Sequence, residues 1–167
     1  MDSSAEFDRQ LKETVRRISR GFVLVIDDNR EVHRVIRSLL SQTGIENIKM
    51  ATDVSSAISF MDSARLSFVI CDFHLKDRTA VDIFAELRAR PQYFSIPFLI
   101  ITNDVTRDEL LLAKSNGIRH CILKPFTLDL LQEKIVEAFE DQEALRSEKE
   151  AQEELPFEDG SVNEDTL

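Results

Sequence analysis

Residues Phe68-Val69-Ile70-Cys71-Asp72 do most to limit how this chain can fold: four apolar residues in unbroken order, then a carboxylate. A short run without polar alternation predicts a strand buried on both faces, as strands of parallel sheets are. In open parallel sheets ligands sit outside the carboxyl ends of the strands, and Asp72 stands there. An Asp at a strand end can also be mere punctuation. Three other apolar runs that end in reactive groups weigh toward chemistry. Phe22 to Ile26 is followed by Asp27-Asp28-Asn29, Phe98 to Ile101 by Thr102, and Ile118 to Leu123 by Lys124-Pro125.

Helical patterns separate these runs. Val32, Val35, Ile36, Leu39 and Leu40 form one stripe, closed by Gly44 at a C′ position. Asn47 to Ala51 reads as a weaker second strand. Asp53 then begins a helix with Val54, Ala57, Ile58 and Met61 on one face. A third helix is predicted from Thr79 to Arg90, with Val81, Phe84 and Ala85 inward and Pro91 after it. Thr106 and Glu109 have capping-box spacing and open a fourth, closed by Gly117. A fifth starts near Thr127 with Leu128, Leu131, Ile135 and Phe139 on its stripe. Strand and helix alternate five times, which predicts an α/β fold with a five-stranded parallel sheet and helices on both faces.

The ends of the chain read differently. Residues 1–20 form an amphipathic helix with Phe7, Leu11, Val15 and Ile18 on one face. That face either packs on the chain's own domain or supports a homodimer through residues 1–20. The sheet domain is expected over 21–140. Beyond Phe139 the stripe fails, and residues 141–167 are expected to be an acidic helical extension followed by a disordered tail, with Pro156 ending any helix. Arg146–Glu150 and Lys149–Glu153 are spaced to steady that extension by about 0.3 kcal/mol each.

Charge follows the same division. The net charge of -10 lies mostly in Glu140–Leu167, with 11 acidic and 2 basic residues, while the rest is balanced at 20 and 19. Bulk charge therefore gives no reason to expect nucleic-acid binding. No apolar stretch approaches membrane-spanning length, no signal-peptide core is present, and neither common glycine-rich phosphate loop occurs. Cys71 and Cys121 lack metal-ligand spacing and read as buried reduced thiols, which places the chain in the cytoplasm.

If the strands are parallel, Asp27, Asp28, Asp72, Thr102 and Lys124 converge on one crevice. Two like charges about 4 Å apart cost about 4 kcal/mol at an effective dielectric near 20, so the carboxylates need a cation. Few ligands, all oxygen, suit Mg²⁺, which shares its shell with water and phosphate oxygens. Lys124 and the Thr102 hydroxyl suit a transferred phosphoryl group, and an Asp carboxylate can be the nucleophile that takes it.

On Val25-Ile26-Asp27-Asp28-Asn29, Val69-Ile70-Cys71-Asp72, Ile100-Ile101-Thr102 and Leu123-Lys124-Pro125-Phe126, the chain resembles bacterial response-regulator receiver domains over about residues 21–140. It is similar to the stand-alone, chemotaxis-regulator-like kind. The resemblance implies a flavodoxin-like, doubly wound sheet of order 2-1-3-4-5. It makes Asp72 the phosphoacceptor, served by a histidine kinase or phosphotransfer protein. Asp28, Asp72 and the His74 backbone carbonyl would hold Mg²⁺, with Asp27 acting through water. Lys124 would pair with phosphoryl oxygens, Thr102 would move to bond them, and Lys124–Pro125 would be cis. Such a chain is a signalling switch rather than an enzyme, with output by protein–protein contact.

Three positions depart from the family. Lys76 and Ala80 stand where Pro and Gly usually follow the acceptor, which questions the rigidity of that loop. Cys121 replaces an aromatic residue whose ring swings with the Thr, so the helix after Thr106 is expected to respond weakly. Asn103 is larger than the usual residue after Thr102. These departures keep a second reading open, a phosphorylation-independent interaction scaffold. A phosphatase of the haloacid-dehalogenase type needs two Asp spaced i, i+2, and Asp27-Asp28-Asn29 does not supply them. The His74 side chain is placed to border the phosphoryl group. His33 is expected on the solvated side of its helix and His120 at a strand end.

Overall fold

The computed structural model describes residues 2–154. The helix-ending role of Pro156 and the disorder expected over 156–167 lie outside the described residues. Eleven elements alternate as expected: α1 (Ser3–Ile18), β1 (Phe22–Ile26), α2 (Arg30–Thr43), β2 (Ile48–Ala51), α3 (Val54–Ser63), β3 (Leu66–Cys71), α4 (Ala80–Arg88), β4 (Phe98–Thr102), α5 (Arg107–Ser115), β5 (Cys121–Leu123) and α6 (Leu128–Glu153). A 3₁₀ turn, Pro91–Tyr93, follows α4. The five strands form one parallel sheet of order β2-β1-β3-β4-β5. No helix among the described residues is long and apolar enough to cross a membrane.

The unbroken apolar strands serve two cores. On β1, Phe22, Leu24 and Ile26 face one side, where Ala57, Met61, Ile83, Phe84, Leu87 and Ala113 come from α3, α4 and α5. Val23 and Val25 face the other, where Ile36 and Leu40 of α2 meet Leu131, Ile135 and Ala138 of α6. The two-residue period of a strand thus loads both faces, and a fully buried Leu or Ile contributes about 1.5–3 kcal/mol. Helix ends follow local chemistry. Asn29 caps α2 by accepting from the Glu31 N–H at 2.9 Å. Gly44 ends it at φ 98°, and Ile45 N–H bonds the Leu40 carbonyl at 2.9 Å, the C-cap pattern that glycine permits.

Helix phase departs from the sequence reading in two places. In α4 the buried residues are Ala80, Ile83, Phe84 and Leu87, while Ala85 is exposed. In α2, His33 is buried and Val35 is 56% exposed, so His33, Ile36 and Leu40 form the inward row. The His33 Nε2 has no partner among the described residues.

The N-terminal helix lies against α6. Ile18 joins the core, Val15 packs by the end of α2, and Arg17 bonds Glu143 at 2.8 Å while stacking over Phe139 at 5.2 Å. Helix α6 continues unbroken past residue 140 to Glu153. Arg146 pairs with Glu150 at 2.9 Å as its spacing implied, but Lys149 turns to the Phe94 ring, 4.0 Å from its centroid.

Gly21 joins α1 to the sheet. A Cβ there would lie 2.4 Å from both the Arg65 carbonyl oxygen and the Ser67 Oγ. The neighbouring Phe22 N–H bonds that same Arg65 carbonyl at 2.8 Å, so the close approach starts the β1–β3 pairing. Gly21→Ala should cost about 1–3 kcal/mol in urea unfolding, because backbone rather than a flexible side chain must yield. A loss under about 0.3 kcal/mol would show that the junction can open freely.

Candidate functional site

Four strands deliver the site, and backbone bonds hold their ends level. Asp72 N–H bonds the Ile26 carbonyl at 2.9 Å, and Lys124 N–H bonds the Thr102 carbonyl at 2.9 Å. Asp27 and Asp28 beyond β1, Asp72 beyond β3, Thr102 at the end of β4 and Lys124 beyond β5 therefore meet at the carboxyl edge of the sheet. Ligand oxygens of Asp27, Asp28 and Asp72 lie within 4.8 Å of one another.

Asp27 is the fixed member, only 2% exposed. Its Oδ1 accepts from the Asn29 N–H at 2.9 Å, and its Oδ2 accepts from Lys124 Nζ at 3.0 Å. Lys124 Nζ is also 3.9 Å from Asp72 Oδ2. One ammonium thus stands between two of three converging carboxylates, and the cluster stays net negative. Burial pushes the Asp72 carboxyl above its usual range. Lys124, then the Thr102 hydroxyl, act against that shift, while the Asp27 charge adds to it. Asp28 is exposed and free to turn to a ligand, and Thr102 is 1% exposed. Three carboxylates, only partly offset by one lysine, form an all-oxygen donor set for a hard cation. The Lys124–Pro125 bond is cis.

The loop after Asp72 has a physical answer to its missing Pro and Gly. Leu75 N–H bonds the Arg78 carbonyl at 2.9 Å, Ala80 N–H bonds the Phe73 carbonyl at 2.8 Å, and His74 pairs with Thr79 in an antiparallel bridge. Among the described residues none other than glycine has positive φ, so Ala80 is unstrained at the start of α4. The His74 side chain is held by Glu109 at 2.8 Å, at the first turn of α5. The Thr106–Glu109 capping box was readable in sequence; nothing in the spacing announced His74 as its third member.

Cys121 leaves space. A cavity of about 560 Å³ opens beside it, lined by Ile100, Leu110, Ala113, Ile118 and His120 among others. Burial raises the Cys121 thiol pKa, with Lys134 opposing. Cys71, fully buried beside the site, is raised further by burial and then by Asp72 and Asp27. His120 lies one residue before β5, its Nε2 2.8 Å from Asp141 Oδ2 but off the line of a hydrogen bond.

Residues 23–136 match the family model of the response regulator receiver domain, and the chain belongs to that family. It is 30% identical over 118 residues to the chemotaxis protein CheY of Pseudomonas aeruginosa, covering 71% of this chain and 95% of that protein. Chemotaxis protein CheY-3 of Vibrio cholerae is 29% identical over 118 residues, covering 71% and 91%. Among solved structures, the Vibrio cholerae chemotaxis protein CheY4 crystallised at low pH is similar at a TM-score of 0.65 and 23% identity, covering 70% of this chain and 97% of that one. The beryllofluoride-activated NtrC4 receiver domain dimer is similar at 0.65 and 20%, covering 72% and 98%. These two likenesses show the shared flavodoxin-like fold.

The raised Asp72 pKa sets a sign. Ionising this carboxyl costs more in the fold than in the unfolded chain, so the cost is absent below the unfolded value of about 3.9 and complete above the folded one. Asp72→Asn should therefore raise the melting temperature of metal-free protein at pH 7 by about 2 °C, on the order of 1 kcal/mol or less. The gain should shrink as pH falls toward 4. A lowered melting temperature at pH 7 would mean that attraction to Lys124 outweighs burial.

Proposed function

We propose that this chain is a phosphoryl-accepting signalling switch in which Asp72 takes a phosphoryl group from a histidine kinase or phosphotransfer protein. The observation that carries the reading is the position of Asp72: at the sheet's carboxyl edge, 3.9 Å from Lys124 Nζ, with two more carboxylates within 4.8 Å. An Asp72 oxygen forms the new P–O bond as the P–N bond to a donor histidine breaks, its electron pair staying on the imidazole. Lys124 is placed to pair with the phosphoryl oxygens and the Thr102 hydroxyl to hydrogen-bond them. Asp28, Asp72 and the His74 backbone carbonyl would hold Mg²⁺. Asp27, whose oxygens already serve Asn29 and Lys124, would act through water. Bound Mg²⁺ supplies neutralisation of charge on the phosphoryl oxygens.

On this reading the chain is a switch rather than an enzyme, catalysing at most its own phosphorylation and dephosphorylation. Its output is contact with a downstream protein, for which Leu111, Leu112 and Leu123, each more than half exposed, offer apolar surface on the α5–β5 side. A homodimer through residues 1–20 would have to use Phe7 and Leu11, since Val15 and Ile18 already face the chain's own core. The scaffold reading rests on Cys121 and its open cavity.

Incubation with a small-molecule phosphodonor and Mg²⁺ should add one phosphoryl group, seen by intact-mass spectrometry, and Asp72→Asn should abolish it. Undiminished labelling of Asp72→Asn, or none of the wild type, would remove the acceptor reading and leave the scaffold.

A further inference from the structure

The side-chain pair His74–Glu109 is distinct from the ligand role given above to the His74 backbone carbonyl. His74 Nε2 donates to Glu109 Oε1 at 2.8 Å, across 35 residues of sequence. Glu109 Oε2 meanwhile accepts from the Thr106 N–H at 2.8 Å, and the Glu109 N–H bonds Thr106 Oγ1 at 3.2 Å. Glu109 therefore has one oxygen on the α5 cap and the other on the loop after Asp72. At the loop's end His74 is pinned by its bridge to Thr79 and stacks edge-on against Phe73, with ring centroids 4.9 Å apart. Its backbone N–H also faces the Asp72 carboxylate and favours the ionised form. The path from carboxylate to helix cap then runs through one residue.

We propose that His74 and Glu109 are positioning residues that couple the state of Asp72 to the first turn of α5, in place of an aromatic relay at position 121. The inference rests on Asp72 as acceptor. A group added at Asp72 changes the carboxylate that the His74 backbone N–H faces, and so shifts that backbone. The imidazole is fixed to that backbone, and a hydrogen bond tolerates only a few tenths of an ångström before it weakens. Glu109 must then follow His74 or let go, and either outcome alters the Thr106 cap. The size of the effect is bounded by the pair itself. His74 and Glu109 side chains are 48% and 30% exposed, and exposed pairs shift an equilibrium by about two- to five-fold. The response is accordingly local. The amides of Glu109 and Leu110, which bond to Thr106, report it, whereas β5 beside the Cys121 cavity does not move with it.

Two variants separate the pair from the fold. Glu109→Gln keeps a residue that closes the capping box but weakens the bond to His74, and His74→Ala removes the bond without touching the cap. The measurement is amide hydrogen exchange on the full chain, with and without beryllofluoride and Mg²⁺. In resting protein both variants should exchange Glu109 and Leu110 about two- to five-fold faster than wild type, and this arm does not depend on phosphorylation. With beryllofluoride, wild type should change at Phe73–His74 and at Glu109–Leu110 together. Both variants should keep the first change and lose most of the second. Wild type that changes at Phe73–His74 but not at Glu109–Leu110, or variants indistinguishable from wild type at those amides, would overturn the coupling. No change at Phe73–His74 in wild type would instead fail the acceptor reading, while the resting arm still decides whether the pair holds the cap.

Discussion

Three carboxylates that gather at one edge of a sheet, with one lysine to offset them, set the terms for this structure. Lys124 reaches Asp27 at 3.0 Å and Asp72 at 3.9 Å, and Asp27 spends its other oxygen on the Asn29 N–H. The arrangement leaves one carboxyl half-buried and reluctant to ionise, one exposed, and one buried and satisfied. The fold tolerates it because both faces of the sheet are packed around buried strands, which hold the five strand ends in register whatever the charge at their tips. Stability made away from the site keeps a poorly balanced cluster in place, and on the proposed reading that imbalance draws the cation and the phosphoryl group.

The surroundings of the cluster replace familiar features with other chemistry. Backbone hydrogen bonds across Phe73–Ala80 tie down the loop that lacks Pro and Gly. A cavity stands where a ring is expected beside β5, and a side-chain pair bridges the site loop to α5 instead. At the far pole, α1 and the extended α6 brace one another through Arg17, Glu143 and Phe139.

Much of this was legible in sequence because the strands are short, apolar and end in distinctive groups. The convergence of Asp27, Asp28, Asp72, Thr102 and Lys124 and the capping box at Thr106 followed from local rules, and the sheet order from the family resemblance; the cap at Asn29 was not read. Helix phase did not always follow. In α4 the sets Val81/Phe84/Ala85 and Ala80/Ile83/Phe84/Leu87 overlap at Phe84, and contact with the sheet chose the second. In α2 the same rotation buries His33 and exposes Val35. The His74–Glu109 pair was invisible because it joins two loops distant in sequence, and Lys149 left its expected helical partner for Phe94 because α6 passes close to the 3₁₀ turn. Each miss is a tertiary contact overriding a locally valid pattern.

On the proposed reading the Asp cluster receives a divalent cation, and a thermal unfolding titration with Mg²⁺ shows whether it does. A ligand at one hundred times its dissociation constant stabilises a fold by about 2.7 kcal/mol. Millimolar Mg²⁺ should therefore raise the wild-type melting temperature by several degrees, and Asp28→Asn should lose most of that rise. A wild-type melting curve unmoved by Mg²⁺, or an equal rise in Asp28→Asn, would contradict the account.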